Sequence, residues 1–303
     1  MPASLLDLRR NLNGVSGNRS AGLRVNANPS NLIRIMPAEG AEMRASRSSP
    51  LISDLPDIAA DVVARVREKS PRVHCLTNTV AQNFTANVLL AAGAVPSMTV
   101  APDEIADFVA HADALLINLG TFDRERREAA EIAAEEAIEE QRPWVLDPVF
   151  VDRSQVRCTF AAKLMARMPR LVRLNGAEFT ALANAETSED ALKRYALDRL
   201  CTVALTGATD SITDGARVVA IENGDPLMSR VTALGCAGTA LVTACLAVEV
   251  DPWLATVAGL LVFAVAGECA SVPAGGPGSF AVELLDALAN VDRETLRARA
   301  RLR

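Results

Sequence analysis

The sequence predicts an α/β fold with a mostly parallel central sheet and helices on both of its faces. Its short strand candidates are apolar throughout, without the polar alternation of a sheet that exposes one face to water. Each of the first candidates is followed by a stretch with helical spacing, which is the order of elements in a parallel sheet. Half of the 303 residues are hydrophobic (50%), which is enough to cover both faces of such a sheet.

Predicted helices and strands alternate regularly from about residue 54 to residue 206. Asp54 is expected to cap a helix that runs to about Lys69, and Gly93 is expected to end a second helix over residues 81–92. The strand candidates are residues 73–76, 95–100, 114–119, 144–149, 171–174 and 203–206. Helical stretches are expected at residues 102–110, 123–140, 160–168, 177–184 and 188–199.

A hairpin and three apolar helices follow. Residues 210–213 and 218–222 are predicted to be antiparallel strands joined through Asp214-Gly215, a pair typical of hairpin turns. Helices rich in Ala, Leu and Val are expected at about 235–249, 252–271 and 279–289, the last capped by Ser279. Neither a repeat nor a Pro/Gly-rich linker divides this part of the sequence. Residues 51–303 are therefore predicted to be one domain.

The first fifty residues differ in composition from the rest. They contain seven Arg and three acidic residues, and they show no sustained helical or strand period. An Arg- and Ser-rich leader with few acids is typical of a transit peptide. A disordered extension, or an upstream start codon chosen in place of Met36 or Met43, accounts for the same composition. Residues 1–50 are thus predicted to be a leader or extension.

Composition excludes several classes of function. The net charge is −6 with no dominant basic patch, so nucleic-acid binding is not expected. The six Cys lack paired spacing, which argues against a zinc site or disulfides and for a reducing, cytoplasmic compartment. Acidic residues interrupt the longest apolar run at Glu249, Asp251 and Glu268, so no membrane-spanning segment is expected.

Polar residues follow several of the predicted strands, where open α/β sheets bind their ligands. They are Asn78, Asn118, Asp147, Asn175, Glu178 and Thr206. One such residue is more often a helix cap, but several at one sheet edge favour a site. Glu178 lies three residues after Asn175, the spacing of a capping box, and its carboxylate also suits a metal ion held through water.

Small residues at 233–240 open one of the long helices. Backbone N–H groups at such a helix start form an anion site, and a thiol there, Cys236, is expected to have a lowered pKa. A tightly packed helix start explains the same composition. Neither GxxxxGK[ST] nor a GxGxxG after a strand occurs, so a P-loop is excluded and a Rossmann nucleotide site is not indicated.

Motifs spread over residues 71–290 resemble the hydroxyethylthiazole kinase family, which acts in thiamine salvage. The first is Val73-His74-Cys75-Leu76-Thr77-Asn78, followed by Asn83-Phe84-Thr85-Ala86-Asn87. The others, in order, are Gly93-Ala94-Val95-Pro96-Ser97-Met98, Leu146-Asp147-Pro148-Val149, Asn175-Gly176-Ala177-Glu178, Leu205-Thr206-Gly207, Asn223-Gly224-Asp225-Pro226-Leu227-Met228, Gly235-Cys236-Ala237 and Gly276-Pro277-Gly278-Ser279-Phe280. Each motif is weak by itself, and the ordered set is specific.

The resemblance implies a ribokinase-like fold and a reaction. The family transfers the ATP γ-phosphate to the hydroxyl of 5-(2-hydroxyethyl)-4-methylthiazole with Mg²⁺, and it forms homotrimers with active sites between subunits. By the same resemblance, the thiazole is bound by Met98, Asn78 and Ala233, and the nucleotide by Arg173, Thr206 and Gly235. Asp147 and Glu178 match the acidic residues around the metal, and Cys236 lies beside the substrate hydroxyl as the catalytic residue.

The chain departs from the family pattern near these residues. The family usually has Gly-Thr-Gly-Cys where this sequence has Ala233-Leu234-Gly235-Cys236, and a Gly where Phe150 and Leu174 stand. Ala at 233 does not adopt a positive φ freely, and Phe150 adds bulk near the expected phosphates. Two other interpretations stay open at this point: a kinase for another small alcohol, such as a hydroxymethylpyrimidine, and a non-catalytic protein that binds thiazole or nucleotide.

Overall fold

An eight-stranded sheet organises residues 50–303, the part of the chain that the computed structural model describes. The strands are β1 (Arg72–Leu76), β2 (Val95–Ser97), β3 (Ala114–Asn118), β4 (Trp144–Asp147), β5 (Leu171–Leu174), β6 (Thr202–Leu205), β7 (Asp210–Thr213) and β8 (Val218–Ile221). Their spatial order is β2-β1-β3-β4-β5-β6-β7-β8. The first six strands run parallel, and β7 and β8 form the antiparallel hairpin predicted at the edge. The expected leader, apart from Pro50, lies outside the described residues.

Eleven α-helices accompany the sheet in the described part of the chain. They are α1 (Leu55–Lys69), α2 (Gln82–Ala91), α3 (Ile105–Ala110), α4 (Arg124–Glu139), α5 (Gln155–Met165), α6 (Gly176–Ala183), α7 (Glu189–Arg199), α8 (Leu234–Leu246), α9 (Pro252–Ser271), α10 (Pro277–Asn290) and α11 (Arg293–Arg299). Helices α1, α2 and α8–α11 share one apolar cluster with the sheet, and α3–α7 share a second. The sheet is therefore covered on both faces, as the apolar strands predict.

Several boundaries differ from the sequence predictions. Asp54 does not cap α1, because its carboxylate accepts the N–H of Leu51 instead, at 3.3 Å. Helix α5 begins at Gln155 rather than near residue 160, since Ser154 caps it. Strand β2 ends at Ser97, earlier than expected.

The start of α10 was also predicted too late. That helix begins at Pro277 with Gly276 at the capping position. Ser279 lies inside the first turn, where its hydroxyl accepts the N–H of Gly275 and donates to Gly276 O. Helix α11, which was not predicted, follows Asp292, whose carboxylate accepts the N–H of Thr295 at 2.8 Å.

Helix α9 is the longest apolar element of the described chain. It has 20 residues with a single charged one, Glu268, so its uninterrupted apolar run, residues 252–267, stays shorter than the about 18 residues of a membrane span. By length and composition it resembles a membrane span, but 78% of its most apolar window is buried inside the fold. Such burial is typical of the core helix of a folded domain.

The final residues of the chain cover the β8 edge of the sheet. Leu302 forms an antiparallel bridge with Ile221. Ala220 and Arg303 exchange two backbone hydrogen bonds of 2.8 and 3.0 Å, and Glu222 donates to Arg301 O at 2.9 Å. The outer strand of the hairpin is thereby paired on both sides.

Candidate active site

A buried polar network lies where the carboxyl ends of β1, β3 and β4 meet the start of α8. It joins Asn78, Asn118, Asp147, Cys236 and Thr239. Because β1, β3 and β4 are parallel neighbours, their carboxyl ends share one sheet edge, although the residues are far apart in sequence. Three of the predicted strand-end side chains, Asn78, Asn118 and Asp147, therefore lie in one network.

Cys236 accepts two amide N–H groups. Asn78 Nδ2 lies 3.2 Å from Cys236 Sγ, and Asn118 Nδ2 lies 3.3 Å from it. Burial, followed by the negative charge of Asp147, raises the pKa of this thiol to about 11, although the two asparagines and Arg173 act in the opposite direction. The predicted lowering of the Cys236 pKa at the helix start is therefore wrong, and the thiol is protonated at neutral pH.

Asn118 connects Cys236 to Asp147. Its Oδ1 accepts the backbone N–H of Gly120 at 3.0 Å, which fixes the amide with Nδ2 toward the site. Nδ2 then donates to Asp147 Oδ2 at 2.9 Å as well as to Cys236 Sγ. Gly120 is needed at its position, since a Cβ there would lie 2.7 Å from Asn78. The side chains of Asn78 and Asn118 are thus held from both sides.

Asp147 is a buried carboxylate beside an arginine. Thr239 donates to its Oδ2 at 2.9 Å, and Arg173 Nη1 lies 3.9 Å from the same oxygen. Burial raises the pKa of Asp147, while Arg173 and the hydrogen bonds from Thr239 and Asn118 partly offset that rise. Arg173 Nε is buried without a hydrogen-bond partner among the described residues. The guanidinium therefore has donor capacity left for an anion.

Glu178 forms the predicted capping box and a third bond that was not predicted. Asn175 Oδ1 accepts the N–H of Glu178, and Glu178 Oε2 accepts the N–H of Asn175, both at 2.9 Å. Its other oxygen, Oε1, accepts the N–H of Phe150 at 3.0 Å. Burial raises the pKa of Glu178, the two backbone N–H groups lower it, and the neighbouring charge of Asp147 raises it further. Glu178 thus lies close enough to Asp147 for the charge of Asp147 to raise its pKa.

The start of α8 approaches Arg173. Ala233 precedes the helix with φ 71°, and Gly235 lies in its first turn. A Cβ at Gly235 would lie 3.0 Å from Arg173 Nη1, so a glycine allows the guanidinium to reach the helix start. The first N–H groups of a helix have no partner within it and carry the positive end of its dipole. Arg173 and this helix start together form a cationic corner.

Two predicted residues lie at the border of this network. Thr206 follows β6, where its N–H donates to Leu174 O at 2.8 Å and its hydroxyl to the same oxygen at 3.4 Å. Met98 follows β2 and packs, half-buried, on the apolar cluster that contains Leu234 and Ala237 of α8. Neither is joined to Cys236 by a hydrogen bond in the described part of the chain.

The carboxylates fit a divalent cation in their chemistry. No group of three His, Cys, Asp or Glu side chains able to hold a metal ion occurs among residues 50–303. Mg²⁺ is ordinarily held by one or two carboxylates, with water and substrate phosphates completing its coordination. Asp147 and Glu178 provide oxygen ligands of this kind, and each raises the cost of the other's charge. Their donor set is therefore compatible with Mg²⁺.

Comparison with protein-family models gives a match over most of the described residues. Residues 63–294 match the model described as the hydroxyethylthiazole kinase family. This chain belongs to that family. The match includes every residue of the network described above.

Individual relatives agree. Hydroxyethylthiazole kinase of Rhizobium etli (strain CIAT 652) is 47% identical over 251 residues, which cover 78% of this chain and 97% of that protein. A structure titled hydroxyethylthiazole kinase protein from Pyrococcus horikoshii OT3 is 37% identical with a TM-score of 0.78, and the match covers 82% of this chain and 98% of that one. A ribokinase-like superfamily protein from Enterococcus faecalis V583 has the same fold at 13% identity and a TM-score of 0.59, with 77% and 95% covered. The ribokinase-like α/β fold is thus confirmed.

Comparison of this hydroxyethylthiazole kinase family member with the sequence predictions shows which residues were missed. Asn118 was recognised as a strand-end residue but was not assigned to the site. The structure gives it a central place, because it pairs with Asp147 across β3 and β4. Thr239 was not singled out, although it lies three residues after Cys236, where helical spacing brings the two to the same face.

Proposed function

We propose that this protein transfers the γ-phosphate of ATP to the hydroxyl of 5-(2-hydroxyethyl)-4-methylthiazole, giving the thiazole phosphate used in thiamine salvage. The bond between the γ-phosphorus and the β,γ-bridging oxygen breaks with ADP as the leaving group, a bond from the γ-phosphorus to the alcohol oxygen forms, and the hydroxyl proton is released to solvent. Membership of the family supports this reaction, and kinase activity makes ATP the co-substrate. The observation that carries the proposal is the place of Cys236 in the first turn of α8, where Asn78 and Asn118 donate to its Sγ.

In this proposal the cationic corner receives the transferred phosphoryl group. Arg173 and the first N–H groups of α8, around Gly235, stabilise the negative charge that is spread over the equatorial oxygens in the transition state. Thr206 contacts the nucleotide from the end of β6. Cys236 lies beside the hydroxyl of the substrate. With a pKa of about 11, its neutral thiol positions that hydroxyl more than it removes the proton.

Asp147 and Glu178 are the residues that would hold Mg²⁺. The cation would neutralise charge on the ATP phosphates and help to orient them for in-line transfer. In its absence, burial and mutual repulsion work against full ionisation of both carboxyls, since both pKa values are raised. The backbone N–H groups of Asn175 and Phe150 hold Glu178 in one orientation toward this position.

We assign the contact with the thiazole ring of the substrate to Met98, Asn78 and Ala233. Met98 provides an apolar, polarisable surface for a thiazole ring, and Asn78 has its amide directed to the catalytic thiol. We further propose a homotrimer with active sites between subunits, located in the cytoplasm. Light scattering at micromolar concentration tests the assembly: three times the 32.1 kDa chain mass supports it, and a monomer mass contradicts it.

One coupled assay of ADP release tests the reaction. It compares the thiazole alcohol with a hydroxymethylpyrimidine and other small alcohols, with Mg²⁺-ATP at saturation. We expect the highest kcat/KM for the thiazole alcohol and no turnover after addition of EDTA. Faster turnover of another alcohol would reassign the substrate, and binding of the thiazole without turnover would make this a non-catalytic member of its family.

A further inference from the structure

The imidazole of His74 bridges the two residues on either side of Met98. His74 lies in the middle of β1, fully buried, and is the register partner of Ser97 in β2. Its Nδ1 is 2.8 Å from Ser97 Oγ, and its Nε2 is 3.1 Å from Thr99 O. One side chain thus binds the chain immediately before and immediately after Met98.

The proton positions in this bridge follow from the partners. A carbonyl oxygen only accepts, so the bond to Thr99 requires the hydrogen on Nε2. Nδ1 of the neutral ring is then an acceptor, and the Ser97 hydroxyl donates to it. Burial lowers the pKa of His74 to about 4, against smaller opposing effects of Thr99 O and Glu104, so the ring is neutral at the pH of the cell. Both ring nitrogens are fully used, and His74 has no capacity left for proton transfer.

The surroundings hold the ring and the bound segment in place. The ring of Phe108, from α3, lies 5.7 Å from the imidazole. The hydroxyl of Thr99 donates to the carboxylate of Glu104, which fixes the chain just after the bridge. Met98 packs on the apolar cluster of α8, whereas Phe108 belongs to a helix on the other face of the sheet. The bridge therefore lies behind the substrate pocket and not in it.

We propose that His74 is a positioning residue for the alcohol substrate, because its hydrogen bonds to the Ser97 hydroxyl and the Thr99 carbonyl hold the segment that carries Met98 and so place the Met98 side chain against the substrate ring. The inference rests on the proposed function, specifically on the assignment of Met98 to the thiazole. His74 itself contacts neither the alcohol substrate nor the nucleotide, and it affects the binding of the alcohol substrate through Met98. A purely structural histidine would affect stability without distinguishing between the two substrates.

The experiment measures kcat and both KM values for five variants. His74→Leu removes both bonds, and Ser97→Ala removes only the hydroxyl donor and leaves the imidazole in place. His74→Gln keeps an amide donor near the position of Nε2. His111→Gln is the control: His111 lies at the end of α3, is exposed, and its side chain forms a hydrogen bond only with Asp107 O among the described residues. Met98→Ala provides the reference for loss of the ring contact.

For His74→Leu we expect the KM for the thiazole alcohol to rise about tenfold, since small displacements of a positioning group reduce binding strongly. The KM for ATP and the kcat at saturation should stay within about twofold, the pattern expected when uniform substrate binding is lost. Ser97→Ala should show a smaller rise, His74→Gln a partial recovery, and His111→Gln no change. If His74→Leu does not fold, the Ser97→Ala and His74→Gln values decide.

Three results would overturn the inference, and each differs from failure of the proposed function. Equal increases in both KM values, or a fall in kcat with normal KM values, would leave His74 with a structural role only. An unchanged thiazole KM in Met98→Ala would remove the contact that His74 is argued to place. Absence of turnover in the unmodified protein would refute the proposed function itself, and the inference with it.

Discussion

Cys236 is a neutral thiol with two amide donors pointing at its sulfur, which makes its replacement informative. Cys236→Ser replaces the sulfur by a smaller oxygen and so displaces the substrate hydroxyl that Cys236 positions; we expect intact folding and binding with kcat lowered about 10²-fold, the cost of a small misplacement. Cys236→Asp places an ionised acceptor before the same donors and should retain or raise kcat. Both variants are measured for kcat and melting temperature together.

Packing alone would give the reverse pattern at this position. A buried small residue accepts Ser without loss, whereas Asp next to Asp147 would bury a second charge and destabilise the fold. A fully active Ser variant beside an unfolded Asp variant would therefore remove Cys236 from the reaction.

Ala233 adopts a left-handed backbone conformation, at a position where the family usually has glycine. This conformation costs a residue with a Cβ about 1–2 kcal/mol. Replacement by glycine removes that cost, but the greater freedom of glycine in the unfolded chain offsets part of the gain in stability. Ala233→Gly should therefore raise the melting temperature by about 2 °C. The matched control is Met168→Gly, at an exposed position with φ 55° outside the site. Similar stabilisation of both is expected, and a melting temperature lowered only in Ala233→Gly would show that the alanine packs favourably.

Asp147 destabilises the folded protein as the pH rises. Because its pKa is raised by burial, the folded state keeps a proton that the unfolded chain has already released. The favourable contribution is present below the unfolded pKa and is lost as the pH rises through the folded pKa. Asp147→Asn should thus gain melting temperature relative to the unmodified protein between pH 4.5 and pH 7.5, while its kcat falls.

The control for that pH dependence is Asp113→Asn. Burial opposes ionisation of Asp113 too, but hydrogen bonds from Arg72 prevail and lower its pKa. The contribution of Asp113 is therefore fully present above its ordinary pKa of 3.8 and is lost only at lower pH, so the melting temperature of Asp113→Asn relative to the unmodified protein should stay level over the same pH range. The same trend in both variants would rule out the explanation given for Asp147.

At the scale of single elements, the first turn of α6 combines a cap with Glu178, one of the two carboxylates proposed to hold Mg²⁺. Glu178→Gln replaces one of two acceptor oxygens by an amide that faces a backbone N–H, so α6 should lose about 1 kcal/mol. We also expect kcat to fall by about 10²-fold, because a carboxylate that acts mainly in the transition state is lost. Ser188→Ala, which removes the cap of α7, is the matched control for stability alone. A near-normal kcat in Glu178→Gln would restrict Glu178 to capping.

Elements were predictable where their signals are local. Unbroken apolar strands identified all six parallel strands, and Asp214-Gly215 identified the hairpin, because these patterns depend on neighbours in sequence. Helix α11 was missed, since its seven residues are mostly charged and only Asp292 marks its start. The pairing of Asn118 with Asp147, and the raised pKa of Cys236, depend on strand order and depth of burial. No local pattern contains that information.

At the scale of the whole molecule, we expect residues 50–303 to be sufficient for activity. The match begins at residue 63 and the first helix at Leu55. Removal of residues 1–49 should leave the melting temperature and kcat/KM within about twofold of the full chain. Removal of residues 1–62 is the control, since it deletes the buried Leu55, Ala59 and Val62. Insolubility or inactivity of the shorter truncation would contradict this prediction.

The pairing of residues 301–303 with β8 affects how the protein should be handled in the laboratory. It occupies N–H and C=O groups of β8 that would otherwise be available as a template for a strand from another chain. An affinity tag fused after Arg303 would compete with this pairing each time the tail detaches, and a deletion of the last three residues would leave the edge bare. Preparations with either change should form soluble aggregates on storage, which a tag at the opposite terminus avoids.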